Sequence, residues 1–331
     1  MCKHYKHSYL EASRENLQKM GLRVYSLQGS QISDRYPAIQ GDLKTTRGYL
    51  NPFCGWADAH GSIQNLARKC VAAGISFLTG PDGTVTSLVK DNGRIVALET
   101  STGARLQTGL VVFATGSWTP YLIDMDRVSI STGQPVGFIQ LTSAEAEQLR
   151  GTPIVINLST GWFIFLPIPG TNILKMARHG YGYETSRHSS SLGKIVSAPM
   201  LDANNTTSRF IPYDADLALK EGLTSLFPQF KDKSFSNRRL CWYSDTSQGD
   251  FILDYHPQYR NLFVATGDSG HAFKFLPVLG HYIADMFEGK ATEAQRNRWQ
   301  WKQSSTAISR GDGRRGGPPR RALNREEQAK L

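Results

Sequence analysis

Apolar residues between Gly61 and Ala73 fall at helical spacing: Ile63, Leu66, Ala67, Cys70 and Val71 stand at i, i+3, i+4, i+7 and i+8. That stripe predicts a helix with one face turned to a core, with Gly74 as its C′ cap. Residues 8–20 carry Leu10, Leu17 and Met20 on one side of a second helix. A third helix is expected between Ala215 and Phe227. A fourth is marked by Leu276, Leu279, Ile283, Met286 and Phe287 and ends near Gly289. Residues 22–47 are mixed and turn-rich. After Gly74 the period shortens. Ile75–Leu78, Val85–Val89, Ile95–Leu98 and Leu110–Ala114 read as short strands, punctuated by turns at Asp91-Asn92-Gly93 and Ser101-Thr102-Gly103.

A second texture begins near Val136. Val136–Leu141, Ile154–Leu158, Trp162–Leu166 and Ile173–Ala177 are strand-like, with Gly, Pro and Ser-Thr between them. Strands in succession without intervening helices predict an antiparallel sheet. Residues 189–240 are irregular apart from the third helix. From Asn261 the α/β texture returns, with a strand to Thr266, a tight turn at Gly267-Asp268-Ser269-Gly270, then the fourth helix. Residues 302–323 are rich in Gly, Arg and Pro and are expected to be disordered.

Composition narrows the classes. The 331 residues suffice for about two domains. Apolar residues make up 40% and charged residues 20%, an ordinary globular balance. The formal net charge of +10 would suggest nucleic acid, but residues 302–331 supply half of it, so no nucleic-acid partner is expected. Cys2, Cys54, Cys70 and Cys241 lack any paired spacing, which argues against zinc, other metal sites and a disulfide framework. No apolar run reaches membrane-span length and residues 1–15 hold no signal-type apolar core. One G-x-G-x-x-G match exists, Gly311-Asp312-Gly313-Arg314-Arg315-Gly316. No apolar strand precedes it and Pro318-Pro319 obstructs a following helix, so it is read as a chance match.

The most informative block runs from Phe251 to His256-Pro257 and from Asn261 to Pro277. It reads as strand, glycine turn and helix, an arrangement that lets a backbone approach a flat ligand and aims helix N–H groups at negative charge. The block resembles the C-terminal signature of the sarcosine oxidase and fructosyl-amino-acid oxidase (amadoriase) family of FAD enzymes, which also includes pipecolate and saccharopine oxidases. Three further stretches agree in order: Gly48–Ala59, Ala114-Thr115-Gly116-Ser117-Trp118 and Ile173–Gly182. The resemblance implies an α/β fold, with an incomplete FAD-binding doubly wound domain carrying a β-meander, plus an antiparallel-sheet (α+β) substrate domain. It divides the chain into 1–130 (first FAD-binding part), 131–240 (substrate domain), 241–290 (second FAD-binding part) and 291–331 (basic, partly disordered tail).

The resemblance also implies roles. Cys241 matches the cysteine that bonds the flavin covalently. Lys175 matches the lysine that activates O₂, and Lys274 matches the one that pairs with the substrate carboxylate. His179 and His271 match positions near the active site, and structural histidines are as good a reading there. Gly116, Gly267, Gly270, Phe273 and Lys274 fall where the cofactor would be held. The implied reaction is oxidation of a secondary amino acid by O₂ to an imine and H₂O₂. Two departures stand out. The family's N-terminal strand and G-x-G-x-x-G are not found, so a truncated gene model or an inactive paralogue unable to hold FAD is the alternative. A nicotinamide dehydrogenase is a remoter one. Leu166 stands where fructosyl-amino-acid oxidases carry a glutamate, which favours sarcosine, pipecolate or saccharopine over a glycated substrate. The chain ends Ala329-Lys330-Leu331, a variant of the peroxisomal address S-K-L. An import receptor, a peroxisomal location and a monomer are the remaining expectations.

Overall fold

The computed structural model describes residues 8–201, 207–302 and 315–331. Its largest element is a seven-stranded sheet built around the long strand Ser129–Gln140. One edge of this spine pairs antiparallel with Asn237–Thr246 along its whole length. The other edge is shared by Ile173–Arg178 and Tyr183–Glu184. Trp162–Ile164 and Val155–Asn157 continue outward from Ile173–Arg178.

Side chains alternate across a strand and directly opposed residues share a face, so register assigns the two faces. Leu174, Met176, Ile139, Leu240, Trp162 and Ile164 face one way. They form a single core with Ala215, Leu219, Leu223 and Leu226 of the helix Tyr213–Leu226. Gly222 permits the contact, because a Cβ there would lie 2.3 Å from the Trp162 ring. The opposite face carries Lys175, Phe138, Phe163, Arg239, Cys241 and Tyr243.

A second region holds a three-stranded sheet in the order Ile252–Tyr255, Leu262–Thr266, Val111–Phe113, the last two parallel. Beside it lies an antiparallel meander of Val85–Asp91, Arg94–Thr100 and Arg105–Gln107. Buried Asn261 joins the two. Its amide accepts from Ile95 N at 2.8 Å and donates to Ile95 O and Gly109 O at 2.7 and 3.0 Å. The helix Leu276–Phe287 packs on Ile252–Tyr255 through the cluster around Phe251, Leu253 and Phe263. The mixed α/β architecture expected from the sequence is present.

Several expectations change. The helix Ala59–Ala72 forms, but it buries no residue: Ile63, Leu66 and Val71 are 49%, 44% and 61% exposed. The strand expected at Ile75–Leu78 does not form, since no described segment offers it a ladder; Ile75, Phe77 and Leu78 are exposed. The turn-rich stretch 22–47 contains a short strand, Tyr25–Gln28, which pairs with Arg47–Leu50 just beyond it, and a helix, Gly29–Arg35. Its Ile32, Ile39 and Leu43 join the core of the seven-stranded sheet, so this part of 1–130 packs with strands that lie beyond residue 130 in the chain. The boundary drawn at 240/241 falls inside the continuous strand Asn237–Thr246.

The tail also departs from its expected disorder. Arg321–Ala322 pairs parallel with Tyr183–Glu184, and buried Arg320 pairs with Glu184 at 2.5 Å. Leu331 packs on the main core, and the Lys330 ammonium sits 5.5 Å from the Phe210 ring centroid. Ala329-Lys330-Leu331 therefore closes on the domain surface, where a freely presented tail was expected. Residues 303–314, which include most of the G-x-G-x-x-G match, lie outside the described residues.

Candidate active site

The site is the sheet face turned away from the helix Tyr213–Leu226. On the strand Asn237–Thr246, Leu240 and Ser244 are buried, while Cys241 and Tyr243 alternate to the other side. Cys241 is a free, half-buried thiol opposite Gln134. Lys175 lies opposite Phe138 on the adjoining strand. Its ammonium sits 5.2 Å from the Phe165 centroid and makes no hydrogen bond or ion pair with the described residues. The sheet thus puts the two positions matched to flavin attachment and O₂ activation on one surface.

His179 follows the end of Lys175's strand. Its backbone N–H donates to Gly161 O at 2.7 Å, which fixes the ring beside Tyr243. His179 Nδ1 is 3.2 Å from Tyr243 Oη. Burial first, then the neighbouring Arg315 guanidinium, together push the His179 pKa down to about 4 against the opposing pull of Asp245. Burial also raises the Tyr243 pKa, so the pair is a neutral imidazole and a phenol near neutral pH.

Arg315 enters from the tail. Its Nη2 meets Asp245 Oδ1 at 2.6 Å, with Ser269 O at 3.3 Å. Asp245 is buried and also accepts from Thr132 Oγ1 at 2.6 Å. Gln134 continues the network, donating to Thr132 Oγ1 at 3.1 Å and accepting from Gly180 N at the same distance. Buried charge needs this degree of satisfaction.

The turn Gly267–Gly270 closes the site from the second region. Gly270, at φ +75°, has no Cβ to strike the Tyr243 ring, which would lie 2.4 Å away. Asp268 organises the turn, accepting from Ser244 N at 2.7 Å and Gly270 N at 2.9 Å. Burial outweighs these bonds and holds its carboxyl above the usual range. His271 stacks on Phe251 with centroids 5.5 Å apart and lies near enough to contribute to lowering the His179 pKa. Lys274 also acts on His179, but its side chain is exposed, lies 5.4 Å from the Phe275 centroid and pairs with no described carboxylate. Phe273 beside it is exposed. Gly116, at φ +50°, opens the turn after Val111–Phe113. Its carbonyl accepts from Thr119 and Thr266 hydroxyls at 2.7 and 3.2 Å.

These residues fit the flat half of an FAD: a free thiol, an unpaired ammonium and a glycine turn converge on one surface. Among the described residues no cluster of His, Cys, Asp or Glu could hold a metal ion. No described helix is long and apolar enough to cross a membrane. Leu166 borders a largely apolar cavity of about 590 Å³ walled by Tyr9, Tyr36, Tyr49 and Trp56.

Sequence reasoning assembled Lys175, His179 and Cys241 but missed Tyr243, Asp245, Asp268 and Arg315. Tyr243 and Asp245 were within reach, since they alternate with Cys241 on one strand. Arg315 carried no local signal, because it lay in a stretch read as disordered.

The model of the family described as DAO, FAD dependent oxidoreductase, matches residues 3–286. L-saccharopine oxidase of Schizosaccharomyces pombe is 29% identical over 321 residues, 92% of this chain and 73% of that protein. Monomeric sarcosine oxidase of a Bacillus species is 25% identical over 271 residues, 80% of this chain and 64% of that protein. The crystal structure of fructosamine oxidase (Amadoriase II) from Aspergillus fumigatus superposes with a TM-score of 0.82 at 27% identity. It covers 94% of this chain and 74% of that one.

Proposed function

From a chain that belongs to the DAO family of FAD dependent oxidoreductases, whose matched relatives are amino-acid and amine oxidases, we propose an oxidase of the C–N bond of a secondary amino acid. Sarcosine, pipecolate and saccharopine are the substrate types in view, ahead of a fructosyl amino acid, because Leu166 borders a largely apolar cavity. O₂ is the second substrate and H₂O₂ the product. The observation that carries the reading is the gathering of Cys241, Lys175 and the neutral His179–Tyr243 pair on one sheet face.

FAD held here would supply the two-electron chemistry, accepting a hydride from the carbon next to nitrogen and passing the electrons to O₂. The chain's own residues do the rest. Cys241 supplies the thiol for covalent attachment. Tyr243, kept as a phenol, donates to His179 Nδ1, which leaves the imidazole proton on Nε2 to meet an anionic substrate oxygen. Arg315 and Asp245 hold that pair in place. Lys274 anchors the substrate carboxylate. Lys175 offers a fixed positive charge that gains energy only when negative charge develops on oxygen, so it lowers that barrier without tightening amine binding.

Lys175→Met separates these roles. In anaerobic stopped flow the FAD-loaded variant should still be reduced by substrate, while reoxidation by O₂ slows by roughly two orders of magnitude. Unchanged reoxidation with lost reduction would move Lys175 to substrate binding. After denaturation and precipitation, flavin should stay with the protein and be released by Cys241→Ser. The alternative reading is an inactive paralogue that cannot hold FAD. A colourless protein after incubation with FAD would support it. We also propose a peroxisomal address in Ala329-Lys330-Leu331; a reporter fused upstream of the full chain that stays diffuse would remove it.

A further inference from the structure

The strand Asn237–Thr246 carries two successive arginines that alternate to opposite faces of the sheet. Arg238 faces the helix Tyr213–Leu226 and is neutralised by Asp216. Arg239 faces the candidate active site, two residues or roughly 7 Å along the strand from Cys241. It is half-buried, its guanidinium carbon lies 5.1 Å from the Phe138 centroid, and among the described residues it makes no hydrogen bond and no ion pair.

Its surroundings on that face are specific. Arg239 lies opposite Val136, and Val136 opposite Ala177, which in turn lies opposite Phe163. In the next row Phe138 lies opposite Lys175, whose ammonium covers Phe165. An apolar strip of Phe138, Val136, Phe163 and Phe165 is therefore bordered by two cations, neither matched by a carboxylate among the described residues. A partly desolvated guanidinium held on an aromatic ring is costly unless an anion completes its hydrogen bonds, and its planar fork suits a carboxylate or a phosphate. The strip between the cations suits an aliphatic arm.

We propose that Arg239 is a specificity-determining residue that binds a distal carboxylate on the arm of the amino-acid substrate, so that the preferred substrates carry an acidic side group besides the α-carboxylate. This deepens the oxidase reading and rests on it. The α-carboxylate stays with Lys274 and the arm lies along the aromatic strip toward Arg239. The same fork could serve a phosphate of the cofactor, and the test separates the two anions.

Binding of N-methyl-L-glutamate and N-methyl-L-glutamine to the full chain, with and without FAD, is measured by calorimetry. The two differ by one charge at constant shape. The native chain should prefer the glutamate about tenfold or more, as for a hydrogen bond to a charged group. Arg239→Gln should bring that ratio to about one, and Arg239→Lys should keep part of it. A preference that survives Arg239→Gln overturns the proposal. So does equal binding of both compounds by the native chain, while the oxidase reading stands. If Arg239→Gln loses FAD but keeps the preference, the anion is the cofactor's phosphate and the substrate assignment falls. If neither compound binds and no N-methyl amino acid is oxidised by the FAD-loaded chain, the oxidase reading falls and this proposal with it. Urea midpoints of the variants guard against misfolding as the cause.

Discussion

Two helices of the same length have opposite fates. Tyr213–Leu226 and Ala59–Ala72 are each 14 residues long and each carries an apolar stripe. The first buries Ala215, Leu219, Leu223 and Leu226 against the seven-stranded sheet. The second buries nothing, and its Ile63, Leu66 and Val71 face outward. The same contrast separates their regions. Around the first, the spine strand is paired along both edges and the site network is satisfied. After the second, Ile75–Leu78 has no ladder partner among the described residues, and its Ile75, Phe77 and Leu78 are exposed. A periodic stripe thus reports which side of a helix would gain from cover; whether cover exists is a property of the rest of the fold.

Experiments can sharpen or break this division between a closed and an open region. The largest effect is expected at Asp245→Asn, which leaves the Arg315 guanidinium without its partner in a buried network; chemical denaturation should show a loss of about 3–5 kcal/mol. Leu219→Ala, fully buried in the closed region, should cost about 2–5 kcal/mol. A cost below 1 kcal/mol at either position, on the scale of surface substitutions, would mean the closed region is looser than its packing.

His179 gives a smaller, pH-dependent effect with a definite sign. Its folded pKa of about 4 lies below the ordinary histidine value near 6.5. The unfolded chain therefore takes up a proton first as pH falls. The stability this group contributes is complete above about pH 6.5, declines between there and pH 4, and is flat below. Urea midpoints at several pH values should follow that course, and Arg315→Met should narrow the window by removing a lowering charge. A midpoint independent of pH across the window would contradict the buried, neutral imidazole. The smallest change belongs to the open region. Leu66→Ser, at a residue 44% exposed, should shift stability by no more than about 0.5 kcal/mol. A loss comparable to that at Leu219 would show that the helix Ala59–Ala72 is covered in solution.

Much of the fold was legible because its signals are local. Short apolar runs marked the strands read at Ile173–Ala177 and Asn261–Thr266, glycine chemistry marked the turns at Asn92-Gly93 and Gly103, and the helix expected between Ala215 and Phe227 forms as Tyr213–Leu226. Ile75–Leu78 failed because strand-like residues need a partner, and pairing is not a property of the segment. Residues 315–323, part of a stretch expected to be disordered, failed for the converse reason. Gly316-Gly317-Pro318-Pro319 has the composition of a disordered linker, yet Gly316 sits where a Cβ would lie 2.4 Å from the Leu158 carbonyl oxygen, and Gly317 takes a φ of +72°. Of the site, Cys241, Lys175 and His179 could be named one by one. Their neighbours Asp245 and Arg315 lie 70 positions apart in sequence and are joined only by the fold.

The packed C-terminal segment carries a consequence for how the molecule could be divided. Residues 315–331 contribute a strand to the seven-stranded sheet, a buried arginine to Glu184 and the guanidinium beside Asp245. A peptide of this sequence is therefore a separable component with its own docking track, much as a removable subunit would be. A chain ending at Lys302 and a synthetic peptide covering 315–331 should recombine without a covalent link. Adding the peptide should restore the low His179 pKa in proton NMR, which makes the imidazole a reporter of assembly that needs neither cofactor nor substrate.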